Sequence, residues 1–335
     1  MEYFRVHANI YIEQGGDSMY RVEGNIISSE IASYLAPPVR QLLLGLDEQY
    51  CNRMEEIRLR CQQPLLLKLG DRDFTITPSG RPATDLYSGY IVTREDIQRS
   101  LASISDNSLY AFEEEIKRGY ITIPGGHRVG LAGQVVVHNG EIKTLKNFSS
   151  LCFRIAREVH DCALPLIPYI APRGVPVSSL LISPPRCGKT TLLRDLARIL
   201  STGRANLPAR NVTVIDERSE LAGCYLGIPQ LDVGSRTDVL DGCPKAEGMM
   251  MAIRSLSPQV VITDEIGRAE DVAAISECLN AGVVVIASIH ARNVKELENR
   301  PLMQDLMKMR AFRSGITLSR RIHPGNIEET IRWQA

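Results

Sequence analysis

The residues best able to do chemistry lie between positions 183 and 290 of this 335-residue chain. Ser183-Pro184-Pro185-Arg186-Cys187-Gly188-Lys189-Thr190-Thr191 follows the β-rich run Val177 to Ile182 and precedes Leu192, Leu193, Leu196, Ile199 and Leu200, which share one helical face. Strand, loop and helix in that order allow loop N–H groups and the positive helix start to hold phosphate oxygens. In such a loop Lys189 reaches the β- and γ-phosphates and Thr190 ligates Mg²⁺. Two residues depart from the usual pattern: Ser183 and Arg186 stand where such loops use Gly. If position 186 needs a positive φ, Arg there costs on the order of 1 kcal/mol. A decayed loop that only caps a helix is the plainer alternative.

A second motif strengthens the chemical reading. Val260-Val261-Ile262-Thr263-Asp264-Glu265 is an apolar strand ending in two acids, the form expected of a metal-side carboxylate, Asp264, followed by a water-orienting one, Glu265. An acidic helix start would look similar. Asp216-Glu217-Arg218 also ends an apolar run, Val212 to Ile215, and His290 ends Val283 to Ile289. Singly, these are ordinary as a solvated turn and a structural histidine. In an open parallel sheet, however, ligands bind outside the strand carboxyl ends, so Lys189, Glu217, Glu265 and His290 are expected to converge on one crevice.

The elements that must position these groups divide the chain in two. Its length exceeds what one core usually supports. From Ile26 the apolar spacing predicts two short helices around Pro37-Pro38, then strands at Ile57 to Leu59 and Pro64 to Leu67, then a helix after the N-cap Thr93. Asn139-Gly140 between Val129 to Val137 and Ile142 to Leu145 is a strong hairpin signal. This half, residues 26–163, is predicted to be α+β, after a leader over residues 1–25 with no sustained period. Pro165, Pro168, Pro172, Gly174 and Pro176 suggest a linker over 164–176. Strands alternating with helices over 177–335 then predict an α/β domain with a parallel sheet.

Composition narrows the function classes. With 44% hydrophobic and 23% charged residues the chain reads as globular, not disordered. Lys+Arg and Asp+Glu are each 39, so no general basic field exists for nucleic acid. Apolar stretches such as Ala281 to Ile289 are far shorter than the roughly 20 residues a spanning helix needs. Nothing near Met1 has the order of a secretory signal. The 8 cysteines include no C-x-x-C pair and read as reduced thiols.

These residues resemble a known family. Arg254-Ser255-Leu256-Ser257-Pro258 with the following Asp264-Glu265 is similar to the arginine-to-proline segment and Walker B region of type II and type IV secretion ATPases. Asp216-Glu217 stands at their acidic box and Ser288-Ile289-His290-Ala291 at their histidine box. More closely, Gly119-Tyr120-Ile121-Thr122-Ile123-Pro124-Gly125-Gly126-His127-Arg128, Val214-Ile215-Asp216-Glu217-Arg218 and Arg236-Thr237-Asp238-Val239-Leu240-Asp241 resemble the stage III sporulation protein AA family.

The resemblance implies a RecA-like P-loop ATPase domain behind a smaller α+β N-terminal domain, with the His290 strand between those of Lys189 and Asp264. It implies ATP and Mg²⁺ as ligands and water activation by Glu217 or Glu265. It also implies a homohexamer in the mother-cell cytoplasm that engages membrane proteins of a sporulation channel complex. Arginines of the first domain supply transition-state charge in several such rings. Arg128, Arg154 and Arg157 are the candidates here, each otherwise an ordinary surface arginine. Two rival expectations are a nucleotide-binding scaffold without turnover and a RecA-type nucleic-acid motor. The neutral charge and 5% aromatic content disfavour the latter.

Overall fold

The structure, a computed structural model, describes residues 27–333, so the leader expected over residues 1–25 lies outside the described residues. The chain divides between Arg157 and Glu158 into two compact units.

The first unit is built on a seven-stranded antiparallel sheet with β1 (Glu56–Arg60), β2 (Leu66–Leu69), β3 (Arg72–Ile76), β4 (Pro82–Ala83), β5 (Tyr120–Ile123), β6 (His127–His138) and β7 (Glu141–Arg154), in the order β4-β3-β2-β1-β7-β6-β5. Alternation dictates its faces. Ile57, Leu59, Val129, Leu151 and Phe153 are buried in one core with Ile97, Leu101 and Ile104 of the helix Arg94–Ile104. The intervening positions place Arg58, Arg60, Arg128 and Arg154 on the other face. Thr93 caps that helix as expected: its hydroxyl accepts from the Asp96 N–H while the Asp96 carboxylate accepts from the Thr93 N–H. The Asn139-Gly140 turn has φ of 52° and 82°, the left-handed pair a tight hairpin requires.

The second unit contains β8 (Ser179–Ser183), β9 (Val212–Asp216), β10 (Thr237–Asp241), β11 (Val260–Thr263), β12 (Val284–His290), β13 (Ser314–Ser319) and β14 (Asn326–Arg332), in the order β10-β9-β11-β12-β8-β13-β14. All neighbours are parallel except β13 and β14. The helices Lys189–Thr202, Lys245–Ser255 and Ala269–Asn280 supply apolar side chains to the two cores of this unit, which draw on alternate residues of the central strands. Strands buried on both faces explain the near-continuous apolar runs in the sequence.

The expected linker over 164–176 is packed, not extended. Pro165, Pro168 and Pro172 start short helical turns, and Leu166, Ile170 and Ala171 lie in a core of the second unit. Residues 158–163 also belong to this unit, because the buried Asp195 carboxylate accepts the N–H groups of Asp161 (3.1 Å) and Ala163 (2.8 Å). Among the described residues, no helix is long and apolar enough to cross a membrane. The 8 cysteines all lie among the described residues, and none of them is in a disulfide.

Candidate nucleotide site

Parallel register brings the polar strand ends to one edge. His290 is level with Ser183, and Thr263 is level with both Ile215 and Ala287. The residues following those ends therefore gather: Lys189 after β8, Asp216 and Glu217 at the end of β9, Asp264 and Glu265 after β11, and His290 closing β12. The His290 strand lies between the Lys189 and Asp264 strands.

The loop after β8 bends through two left-handed residues, Arg186 (φ 60°) and Gly188 (φ 81°), before the helix Lys189–Thr202 begins. Arg186 thus sits in the conformation suspected from the sequence, at a cost of about 1 kcal/mol. Ser183 is different: it is fully buried, ends β8 in extended backbone, and has no conformational need for glycine. Its Oγ donates to the Pro184 carbonyl (2.8 Å) and accepts from the Lys189 amine (3.1 Å). Pro185 and Arg186 are exposed at the loop's tip, Cys187 is buried, and Thr190 and Thr191 are half-buried in the helix's first turn.

From the amine a polar chain runs across the strand ends. Lys189 Nζ contacts the carbonyls of Ser183 and Pro184 at 3.1 Å each and donates to His290 Nδ1 at 3.0 Å. With Nδ1 accepting, the imidazole proton lies on Nε2, which donates to Glu265 Oε1 at 2.7 Å. The other oxygen of Glu265 pairs with Arg218 at 2.9 Å. Burial lowers the Lys189 pKa, opposed by the neighbouring Glu265, Cys187 and Asp264.

Glu265 has a φ of 48°, a left-handed conformation that costs a non-glycine residue about 1 kcal/mol or more. Ser288 holds it there: the Glu265 N–H donates to Ser288 Oγ and the Ile266 N–H to Ser288 O, each at 2.9 Å. Asp264 is buried. Loss of water, with Asp216, Glu265 and Glu220 nearby, pushes its pKa up to about 7.

The acids after β9 form a separate network. Asp216 accepts the N–H groups of Glu220, Leu221 and Ala222 at 2.9 Å each, and Arg194 donates to the carbonyls of Leu221 (2.6 Å) and Glu220 (2.9 Å). Burial raises Asp216 to about 6 against the pull of those N–H donors. With the loop fixed from both sides, Glu217 pairs with Lys245, and Arg268 lies 3.9 Å from its other oxygen. Burial works to raise the Glu217 pKa, but these cations bring it below the usual carboxylate range.

The residues fit a magnesium nucleotide. Left-handed bends at 186 and 188 followed by a helix start are a backbone form able to offer N–H groups to an anion. Asp264, surrounded by acids in a dry position, is the group whose charge a divalent cation would relieve. Thr190, in the helix's first turn, would offer the ion its hydroxyl as the corresponding residue does in such loops.

The three candidate arginines belong to the first unit. Arg157 donates to the carbonyls of Asn52, Cys51 (3.2 Å) and Met54 (2.8 Å), closing the end of the short helical turn Glu48–Cys51. Arg128 lies over the Tyr120 ring, 3.4 Å from its centroid, and faces the exposed Arg154 directly across β6 and β7. Sequence reasoning missed Ser288, Arg218 and Lys245 as site residues. Arg218 was detectable beside Asp216-Glu217 and Ser288 within the stretch that ends at His290, whereas Lys245 is visible only through its contact with Glu217.

Comparison with known proteins agrees with this architecture. The fold is similar to the ATPase DotB of Yersinia pseudotuberculosis (TM-score 0.55, 13% identity, 89% of this chain and 80% of that one). It is also similar to the ATPase DotB of Legionella pneumophila (TM-score 0.53, 16% identity, 84% of this chain and 76% of that one). These likenesses establish the RecA-like P-loop fold of the secretion ATPases. Stage III sporulation protein AA of Bacillus subtilis (strain 168) is 46% identical over 301 residues, covering 90% of this chain and 94% of that protein. The family model described as sporulation stage III, protein AA matches residues 27–332, and the chain belongs to that family.

Proposed function

We propose that this chain hydrolyses ATP with Mg²⁺ and works as the motor of a sporulation channel complex. The observation that carries the reading is the chain Lys189–His290–Glu265, which joins a phosphate-seeking amine to a carboxylate across adjacent strand ends. Lys189 leaves its loop carbonyls to meet the β- and γ-phosphates, and backbone N–H groups from Arg186 to Thr191 hold the remaining oxygens. Mg²⁺, held by Thr190 and Asp264, would neutralise charge on the β- and γ-oxygens.

Glu265 is the better water-activating group of the two acids. Its carboxylate faces His290 on the γ-phosphate side, whereas Glu217 is held ionised by Lys245 and Arg268 and is a weaker base. His290 fixes the direction of Glu265 and senses the position of Lys189. Arg128 and Arg154 are the proposed sources of transition-state charge. By the family likeness, the assembly is a homohexamer in the mother-cell cytoplasm, attached to the membrane through partner proteins and without nucleic acid.

Phosphate release by the purified chain, measured over a range of protein concentrations, tests chemistry and assembly together. Turnover that rises with self-association and vanishes in Lys189→Ala supports the proposal; turnover that survives in that variant refutes it. The strained, exposed Arg186 favours a second reading, a nucleotide-binding scaffold. ATP binding without phosphate release, even with partners present, would select it.

A further inference from the structure

Both acids of the nucleotide site are held by cations, which leaves neither ready to act on water as it stands. Glu217 has Lys245 on one oxygen and Arg268 3.9 Å from the other. Glu265 accepts from His290 Nε2 through Oε1 at 2.7 Å, and its Oε2 pairs with Arg218 at 2.9 Å. A carboxylate that takes a proton from water needs an oxygen it can turn towards that water. One of these cations must therefore withdraw before hydrolysis.

Exposure decides which. The Lys245 side chain is 8% exposed, so breaking its pair would leave a buried ammonium uncompensated, a far larger penalty than an exposed pair carries. The Arg218 side chain is 56% exposed, and its guanidinium stays hydrated whether or not it touches Glu265. The second pair is the one that opens readily.

The backbone beneath Arg218 need not move for this. On one side Asp216 ends β9, and on the other its carboxylate accepts the N–H groups of Glu220, Leu221 and Ala222 at 2.9 Å each. Opening is then a rotation of one long side chain. Glu265 keeps its own supports when Arg218 turns away: its N–H remains on Ser288 Oγ and its Oε1 on His290.

We propose that Arg218 is a latch on Glu265. Paired, it withholds the second carboxylate oxygen from water and keeps turnover slow; turned into solvent, it leaves His290 to aim a carboxylate that water can reach. Arg218 is a positioning residue, because its effect passes through Glu265. The proposal rests on the reading of Glu265 as the water-activating group of an ATPase, and the test tells the two apart.

Phosphate release against ATP concentration is measured on the full chain, on Arg218→Ala and on Arg218→Lys, with circular dichroism to check the fold. Calorimetry gives the affinity of each for a non-hydrolysable ATP analogue with Mg²⁺. The latch predicts that Arg218→Ala raises kcat roughly two- to fivefold, the population shift that loss of an exposed ion pair allows, with KM and analogue affinity unchanged. Arg218→Lys, which keeps a cation at the position, should stay near the wild-type rate. A kcat that is unchanged or lower in Arg218→Ala overturns the latch, as does weaker binding of the analogue, which would make Arg218 part of the phosphate cradle. Phosphate release by neither wild type nor Arg218→Ala would instead sink the hydrolysis reading, and the latch with it.

Discussion

The two sheets have the same number of strands and opposite chemical habits. In the first unit, antiparallel neighbours send consecutive strand ends to opposite edges, so its functional candidates collect on a face, where Arg128 stands across from Arg154. In the second, parallel neighbours send every carboxyl end to one edge, and residues more than 100 positions apart, Lys189 and His290, come within 3.0 Å. Strand direction thus decides whether a sheet gathers residues in a line at its end or spreads them over its surface.

The largest test of that contrast is at the edge. Lys189→Ala should lower phosphate release on the order of 10³-fold without changing the unfolding midpoint. A modest loss would mean that the convergence is structural. The next test separates the two acid networks: Glu265→Gln should lower turnover about 10²- to 10⁴-fold, and Glu217→Gln less than about tenfold. The reverse ranking would transfer water activation to Glu217.

On the first unit the expected effects are on stability. Arg157→Ala removes a charged donor from three carbonyls and should cost about 3 kcal/mol in chemical denaturation of that unit, while Arg154→Ala, at an exposed position, leaves its stability intact. Equal stabilities for the two variants would break the distinction between clamp and surface arginine.

The smallest effect is a difference in sign with pH. Asp216 and Asp264 titrate higher folded than unfolded, so the second unit binds their protons more tightly than the open chain does. Its stability should fall as pH rises from about 4 towards 7, and Asp264→Asn should remove much of the slope. Buried His127 in the first unit is lowered from 6.5, chiefly by loss of water, with Glu30 opposing. That unit should instead lose stability as pH falls below about 6.5. Trp333, the single tryptophan, lies in the second unit and reports its unfolding; hydrogen exchange follows the first. Parallel slopes in the two units would contradict this.

Much of the edge was legible because its parts are local. A strand, a loop and an amphipathic helix are adjacent in sequence, as are Val260 to Glu265 and Val283 to His290. The same holds for the Thr93 cap and the Asn139-Gly140 hairpin. Less was legible where local signals conflict with packing. The prolines between 165 and 176 look like a linker, yet Leu166 and Ile170 bury themselves in a core. The closing strands β13 and β14 carry no motif, and their turn is placed only by its contact with Cys187 and Gly188.

By itself the sequence determined which segment runs strand, polar loop and amphipathic helix, which strands end in acids, and that an antiparallel half precedes a parallel one, because these follow from residue type and short-range periodicity. Only the tertiary structure decided that His290 joins Lys189 to Glu265, that Lys245 takes Glu217, that Ser288 steadies a left-handed Glu265, and that Arg157 serves the backbone. Those pairings depend on strand order and register, which are set by burial of distant side chains against one another and leave no mark at any single position.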